Sequence, residues 1–291
     1  SPSAANVDHI KGKLGQNFAF GPKTPINVPI TGQRSFACTS LPLAQIKQIG
    51  ARHGAKLNDV VLAICSGALR SYLQHKHKLP RKSLIATVPV SLREPGNTAT
   101  TTQATLTLVS LASHISDPQK RLHAICKAAG AAKTLTQNAK TVIPTDFPSL
   151  GVPWLLGGLA SLYGYSKLAS VMPPIANVAI SNVPGPQQPL YVAGAKICGY
   201  WPLSIVEHGL GLNITLVSYC DSLDFGLTAA SNAVPDVYLL AQMLNQSYEE
   251  LLQLPTETPD TPAANTASND AGAKPAVKRK RRQTTTTPTS T

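Results

Sequence analysis

Two polar pairs in this chain stand where side chains can meet a ligand. Leu57-Asn58-Asp59-Val60 sets an amide and a carboxylate at the head of an otherwise apolar run. Ser181-Asn182-Val183-Pro184-Gly185-Pro186 closes an apolar strand with a stiff turn, in which proline fixes φ and glycine supplies backbone freedom. An asparagine at a strand's end offers both a donor and an acceptor, to a pocket or to the backbone. Asn58 as N-cap and Asp59 in the positively polarised first turn also suit plain helix capping.

The common nucleophile and metal patterns are missing from the sequence. It holds no GxSxG elbow, no Walker-type phosphate loop and no HExxH. The seven histidines are never adjacent, and none has an aspartate four residues later. His75 and His77 flank Lys76 at a basic helix end, a poor place for a cation, so no metal is expected. Five widely spaced cysteines, with no CxxC pair, argue against a disulfide framework and fit a reducing compartment. Cys65, inside an apolar helix, reads as an inert core thiol.

Alternating helix and strand patterns position these residues. Residues 1–38 read as an extended lead-in rich in proline and glycine. From Ser40 as N-cap, Leu43, Ile46 and Ile49 recur at helical spacing, and Gly54 ends the helix. Asn58 opens a second helix, apolar on nearly every face to Leu73 and hence buried on most sides. Ser83–Val90 and Thr102–Ser113 read as strands around a turn at Arg93–Asn97. Asp117-Pro118 caps a helix to about Lys140, with Leu122, Ile125, Ala129, Ala132 and Leu135 on one stripe. Four more strands are expected at Asn177–Val183, Tyr191–Tyr200, Leu212–Cys220 and Leu223–Ala229, and a last helix from Pro235-Asp236 to about Leu254. The fold class is α/β, a layered sandwich with a mixed sheet flanked by helices.

At 291 residues, 43% apolar and 14% charged, the chain is neither disordered nor a polytopic membrane protein. Its net charge of +12 is uneven. Residues 1–140 carry 18 Lys and Arg against 4 Asp and Glu; residues 141–254 carry 2 against 7. A basic first half suits an anionic ligand or surface, and equally a solvated basic face. Phe147–Ser166 is uncharged and long enough to span a bilayer by count, but its glycines, prolines and serines favour a buried helix or lid over a membrane-contacting segment. Residues 255–291, a Thr/Pro-rich tail with the basic run Lys278–Arg282, are too poor in apolar residues to fold. That run raises nucleic-acid binding, which the lack of any basic–aromatic interleaving speaks against.

In order, PKTPINVPITGQRSFACTSLPLAQIKQIGARHGAKLNDVVLAICSGALRSYL, LPRKSLIATVPVSLRE, DPQKRL, SNVPGPQQPLYVAGAKI and GLGLNITLVSYCDSLDFGL resemble the carboxy-terminal half of the bacterial wax ester synthase/diacylglycerol acyltransferase family. The resemblance spans about residues 20–254. It implies the chloramphenicol acetyltransferase-like fold of CoA-dependent acyltransferases, two α/β sandwich domains with the active site between them. This chain then supplies the second domain only, residues 39–254, with 1–38 as the linker from a missing amino-terminal domain and 255–291 as a disordered tail. The family's His-His-x-x-x-Asp-Gly motif, whose second histidine takes the proton of the acceptor hydroxyl, has no match in these residues.

The resemblance further implies an O-acyltransferase moving a long-chain acyl group from acyl-CoA to diacylglycerol or a long-chain alcohol, with acyl-CoA as co-substrate and no permanently bound cofactor. This chain alone is expected to be inactive. Asn58 and Asp59 fall on the family's Asn-Asp motif, as support for the active site through orientation of the histidine or polarisation of the thioester oxygen. Ser181, Asn182 and Gly185, with Asn213 of Gly211-Leu212-Asn213, become pocket-lining or turn-shaping residues. Arg52, Lys56, Arg81 and Lys82 are candidates for a rim receiving the phosphates of acyl-CoA. A membrane or lipid-droplet surface competes equally for that charge, and localisation is expected to be cytoplasmic or peripheral on such a surface. Ala230-Ser231-Asn232 replaces an acidic–basic pair that relatives often carry. The competing reading is a non-catalytic lipid-binding or docking partner.

Overall fold

Helical spacing and alternation convert into four helices around one sheet in a computed structural model that describes residues 20–91, 104–139 and 173–255. The description concerns the unit Ser1–Glu257; the second unit, Thr258–Thr291, lies outside the described residues. So do the apolar stretch Phe147–Ser166, the turn at Arg93–Asn97 and the basic tail.

Strand β1 (Arg34–Pro42) leads into α1 (Leu43–Arg52) and α2 (Leu57–His75), followed by β2 (Ile85–Ser91), β3 (Ala104–Ser110) and α3 (Pro118–Ala139). Then come β4 (Val178–Val183), a short hairpin of β5 (Tyr191–Val192) and β6 (Ala195–Lys196), β7 (Leu212–Tyr219), β8 (Ser222–Ala230) and α4 (Val237–Leu252). The six-stranded sheet runs β1-β8-β7-β4-β2-β3. Its central strands β7, β4 and β2 are parallel, and antiparallel pairs close it at both edges.

The helices lie against one face. Leu216, Ile214, Leu227, Phe225, Val178 and Ile180 point to that side and join Ile46, Ile49, Ile64, Leu69, Leu122 and Leu244 in one core. The expected stripe of α1 is wholly buried, and α2 is buried from Asp59 to Leu69 without a break. In α3, Leu122, Ile125 and Ala132 enter the core as the spacing requires.

Four expectations change. Ser40 caps no helix: it lies within β1 opposite Asp224, and α1 starts at Leu43 after Pro42. Residues 34–38, placed in the lead-in, open that strand, because pairing with β8 supplies the backbone partners that a loop would leave to water. Asn58 is not the N-cap of α2; Lys56 is. Tyr191–Tyr200 yields only a two-by-two hairpin turning at Ala193-Gly194, both with positive φ, and the rest runs as coil. By contrast, Gly54 (φ +60) ends α1 as expected, and Asp117 caps α3 by accepting the Lys120 N–H at 2.8 Å.

Asp236 precedes α4 without capping it. Its carboxylate instead accepts hydrogen bonds from Tyr72 Oη and Lys76 Nζ, both at 2.5 Å, tying α4 to the end of α2. Burial by itself raises the Asp236 carboxyl; the hydrogen bonds from Lys76 and Tyr72 override it and hold the group below its ordinary 3.8. A lowered folded pKa contributes stability above the ordinary value and loses it as pH falls through the folded one. The stability gap between the native chain and Asp236→Asn is therefore expected to be open at pH 7 and to close below 3.8, as followed by urea melts across pH.

Candidate functional site

The turn at Gly54 brings the chain straight from α1 into α2, so Lys56, Asn58 and Asp59 crowd one helix start. Asp59, 8% exposed, turns back on its own helix, where its carboxylate accepts the Lys56 N–H at 3.0 Å. It also accepts the thiol of Cys126 from α3. Burial first, and then the Asp59 charge and hydrogen bond, push that thiol up to about 11. Asp59 thus fixes the helix start and pins α3 to it. Asn58, one residue earlier and about 100° around the helix, leaves in another direction.

That direction leads to β4. Asn182 Nδ2 donates to Asn58 Oδ1 at 2.7 Å, joining the two polar motifs across 124 residues of sequence. The parallel register explains the meeting. Ile180 pairs with Ile214 and Asn182 with Leu216, so Asn182 sits on the helix-facing side at the strand's carboxyl end. Asn58, Val61, Leu62, Val88, Pro89, Ile180 and Asn182 line a depression of about 280 Å³, counting space open to solvent. The Asn58–Asn182 bond uses one acceptor and one donor. The Asn58 Nδ2 donors and the Asn182 Oδ1 acceptor remain at the rim of an otherwise apolar wall. The rim thus offers a donor and an acceptor to a carbonyl or a hydroxyl.

Ser181 faces the opposite side of the sheet, because adjacent strand residues alternate. It pairs with Thr215, whose hydroxyl donates to Asn213 Oδ1 at 2.9 Å. Asn213 Nδ2 donates to the Ile205 carbonyl at 3.0 Å, so this amide holds a loop rather than standing open. Gly185 turns the chain beside β7: its N–H donates to Ser218 Oγ at 3.1 Å, and a Cβ there would lie 2.2 Å from the Ser218 carbonyl oxygen. Its role is close approach. The expected pocket residues therefore divide, Asn58 and Asn182 on one face, Ser181 and Asn213 on the other.

The four rim candidates do not gather. Arg52 and Lys56 flank the start of α2, a helix about 27 Å long at 1.5 Å per residue, whereas Arg81 and Lys82 follow its end. Arg52 donates to the Leu252 carbonyl at 3.2 Å and Lys82 Nζ to the Phe20 carbonyl at 2.6 Å. Among the described residues no group of three His, Cys, Asp or Glu could hold a metal, and no helix is long and apolar enough to cross a membrane.

Val88 and Pro89 were not singled out from sequence, since nothing in a strand-like VPV run says which side chain meets a helix start. The amide clasp of Asn27 and Asn177 was missed as well. Asn177 Nδ2 donates to Asn27 Oδ1 and to the Pro22 carbonyl, both at 2.7 Å, and Asn177 Oδ1 accepts the Ile85 N–H at 2.9 Å. This clasp ties the lead-in to β2 and β4.

Family models match the chain in two stretches. One describes the wax ester synthase/diacylglycerol acyltransferase C-terminal domain and matches residues 101–252; the other describes the catalytic domain of the same enzymes and matches residues 7–61. A putative diacylglycerol O-acyltransferase of Mycobacterium tuberculosis is 42% identical over 230 residues, covering 79% of this chain and 50% of the relative. O-acyltransferase WSD of Acinetobacter baylyi is 37% identical over 254 residues, covering 86% and 51%. The solved wax ester synthase/diacylglycerol acyltransferase from Marinobacter aquaeolei VT8 superposes with a TM-score of 0.62 at 32% identity, covering 86% of this chain and 56% of that one. The nonribosomal peptide synthetase FmoA3 superposes at a TM-score of 0.52 with 16% identity, a likeness of fold alone. The chain spans about half the length of the curated relatives it matches.

Proposed function

The chain belongs to the wax ester synthase/diacylglycerol acyltransferase family, and from that premise we propose that it is the carboxy-terminal part of an O-acyltransferase moving a long-chain acyl group from acyl-CoA to diacylglycerol, a long-chain alcohol or both. Its mixed sheet with flanking helices has the CoA-dependent acyltransferase fold. In the transfer, the acceptor oxygen attacks the thioester carbonyl carbon. The C–O bond forms, the C–S bond breaks, and the hydroxyl proton leaves through a base to end on the thiol of coenzyme A. The base belongs to the His-His-x-x-x-Asp-Gly motif of the family, which these 291 residues do not contain.

The observation that carries this reading is the Asn58–Asn182 contact, which joins the family's Asn-Asp and Ser-Asn motifs at one apolar depression. Val61, Leu62, Val88 and Ile180 give the acyl chain a wall, and Asn58 and Asn182 give its carbonyl end a polar rim. Asp59 keeps that wall rigid through Lys56 and Cys126. Rate then comes from positioning and proton transfer, with no covalent enzyme intermediate. Acyl-CoA enters as a co-substrate and is held beside the acceptor hydroxyl and the base.

The test is an assay with long-chain acyl-CoA and either diacylglycerol or a long-chain alcohol. The chain alone is expected to give no turnover. Joined to the amino-terminal half of the Mycobacterium tuberculosis relative, it is expected to release coenzyme A in step with ester. Turnover by the chain alone at the rate of the joined protein overturns the placement of the base. A joined protein that binds lipid but turns over neither acceptor favours the docking-partner reading.

A further inference from the structure

Strands β2 and β4 start as partners and then part. Their parallel ladder joins Ala86 to Val178 and Thr87 to Ala179 and stops there. Neither strand ends with it. β2 stays paired with β3 as far as Ser91, and β4 stays paired with β7 as far as Val183. Beyond Thr87 the six-stranded sheet is therefore split, with β1-β8-β7-β4 on one side and β2-β3 on the other.

Pro89 accounts for the split. The Leu111 N–H donates to the Leu84 carbonyl at 2.9 Å, so Leu84, Ala86 and Val88 turn their backbone groups to β3. Ile85, Thr87 and Pro89 then turn theirs to β4, in agreement with the bond from the Asn177 N–H to the Ile85 carbonyl at 2.7 Å. The next rung of the ladder needs an N–H from position 89, and proline has none. Proline inside a sheet is ordinarily confined to edge strands, strand starts and bulges, so its place between two neighbouring strands calls for a reason.

We propose that the split is a slot for a long unbranched alkyl chain, held open by Pro89, with the chain's polar end at the Asn58–Asn182 rim. The proposal rests on the acyltransferase reading and names the feature through which that site takes its alkyl chain. The split opens into the depression lined by buried Val61, Leu62 and Ile180 and half-buried Val88, with Pro89 beside them. Among the described residues no charged side chain joins this lining. Methylene groups against such a wall leave water without stranding a polar group. A peptide strand inserted between β2 and β4 would need the donor that Pro89 lacks, whereas an alkyl chain needs none.

The test is a titration of the 291-residue chain with cis-parinaric acid, a fluorescent long-chain fatty acid. Saturable binding is expected. Dodecanoic acid is expected to displace the probe, and adamantanecarboxylic acid, the same head group on a compact cage, is expected not to. Pro89→Val supplies the missing N–H in a residue suited to strands, so β2 and β4 can zip together. It is expected to weaken binding about tenfold or more, as when two methylenes lose their burial, while the melting curve stays in place. Val88→Phe, which fills the depression from its β2 side and leaves the backbone donors as they are, is expected to weaken binding to the same extent. Tyr238→Ala, at an exposed position on α4, is expected to bind the probe as the native chain does.

The absence of saturable binding, equal displacement by the two acids, or native affinity in both Pro89→Val and Val88→Phe overturns the proposal. The same substitutions in the protein joined to the amino-terminal half of the relative identify the source of the chain. A raised KM for acyl-CoA assigns the slot to the acyl group, and a raised KM for the long-chain alcohol assigns it to the acceptor; either upholds the slot. Binding that both variants lose, with no turnover by the native joined protein, upholds the slot and overturns the acyltransferase reading. Turnover that both variants leave unchanged overturns the slot and leaves that reading standing.

Discussion

Asn177→Ala is expected to lower the stability of the chain by roughly 3 kcal/mol, the cost of two or three buried hydrogen-bonding groups losing their partner at about 1–3 kcal/mol each. Asn177 is 0% exposed, and its side chain satisfies the Ile85 N–H, the Pro22 carbonyl and Asn27 Oδ1 at once. Its neighbour Asn27 spends its own amide on the carbonyls of Ala176, Asn177 and Gly209. Removing the Asn177 amide therefore unpairs two separated backbone groups, the Pro22 carbonyl and the Ile85 N–H, and takes a donor from Asn27 Oδ1. Asn177 is wholly buried, and the methyl of an alanine can neither donate nor accept in its place. Chemical denaturation of the chain and the variant gives the difference directly. A loss below about 1 kcal/mol would mean that the clasp is dispensable, and the lead-in would then be held by its prolines and apolar contacts instead.

Gly185→Ala is the second large effect, expected to cost about 1–3 kcal/mol, the usual range for forcing atoms into filled space. The new Cβ would stand 2.2 Å from the Ser218 carbonyl oxygen and 2.4 Å from Val217 Cγ1. Val217 belongs to a central strand bonded on both sides, so neither contact can retreat cheaply. The strain falls three residues from Asn182, and the Asn58–Asn182 contact is expected to open with it. In a full-length protein, activity is then expected to fall roughly tenfold, as small misplacements at a reacting centre do. Gly194→Ala is the matched control. Its φ of +83 makes the substitution strained, but nothing lies within 4 Å, so the cost is expected to stay near 1 kcal/mol with activity untouched. Equal losses from both substitutions would refute the close-approach account of Gly185.

Much of the fold was legible because it is local. The spacing of Leu43, Ile46 and Ile49, the apolar length of α2, Asp117 before Pro118 and the alternation through β3 each express a rule confined to a few residues. The failures share a cause. Ser40 has the side chain of a helix cap, yet the partner that claims its segment is β8, some 180 residues later. Asn58 has the side chain of an N-cap as well, but Asp59 completes that turn from the third helical position and releases Asn58 for Asn182. Asp236 has the same cap chemistry and is taken by Tyr72 and Lys76 of another helix. A cap residue is chosen by local propensity worth about 1 kcal/mol; a tertiary partner of equal strength is enough to redirect it.

The candidate site shows the same division. Sequence alone determined which residue types were available and to which family they belong, since long collinear motifs survive without knowledge of contacts. It also determined that neither a metal pattern nor a double-histidine motif stands in these residues. Only the tertiary structure decided which of those residues meet. The parallel register of β4 against β7 sends Asn182 to the helices and Ser181 to the opposite face, although they are neighbours in the chain. The length of α2 separates Arg52 and Lys56 from Arg81 and Lys82, although all are basic and lie within thirty-one positions. Chemistry is written residue by residue, but a side chain's direction depends on strand pairing and helix packing, and the partners in those contacts lie far away in the sequence.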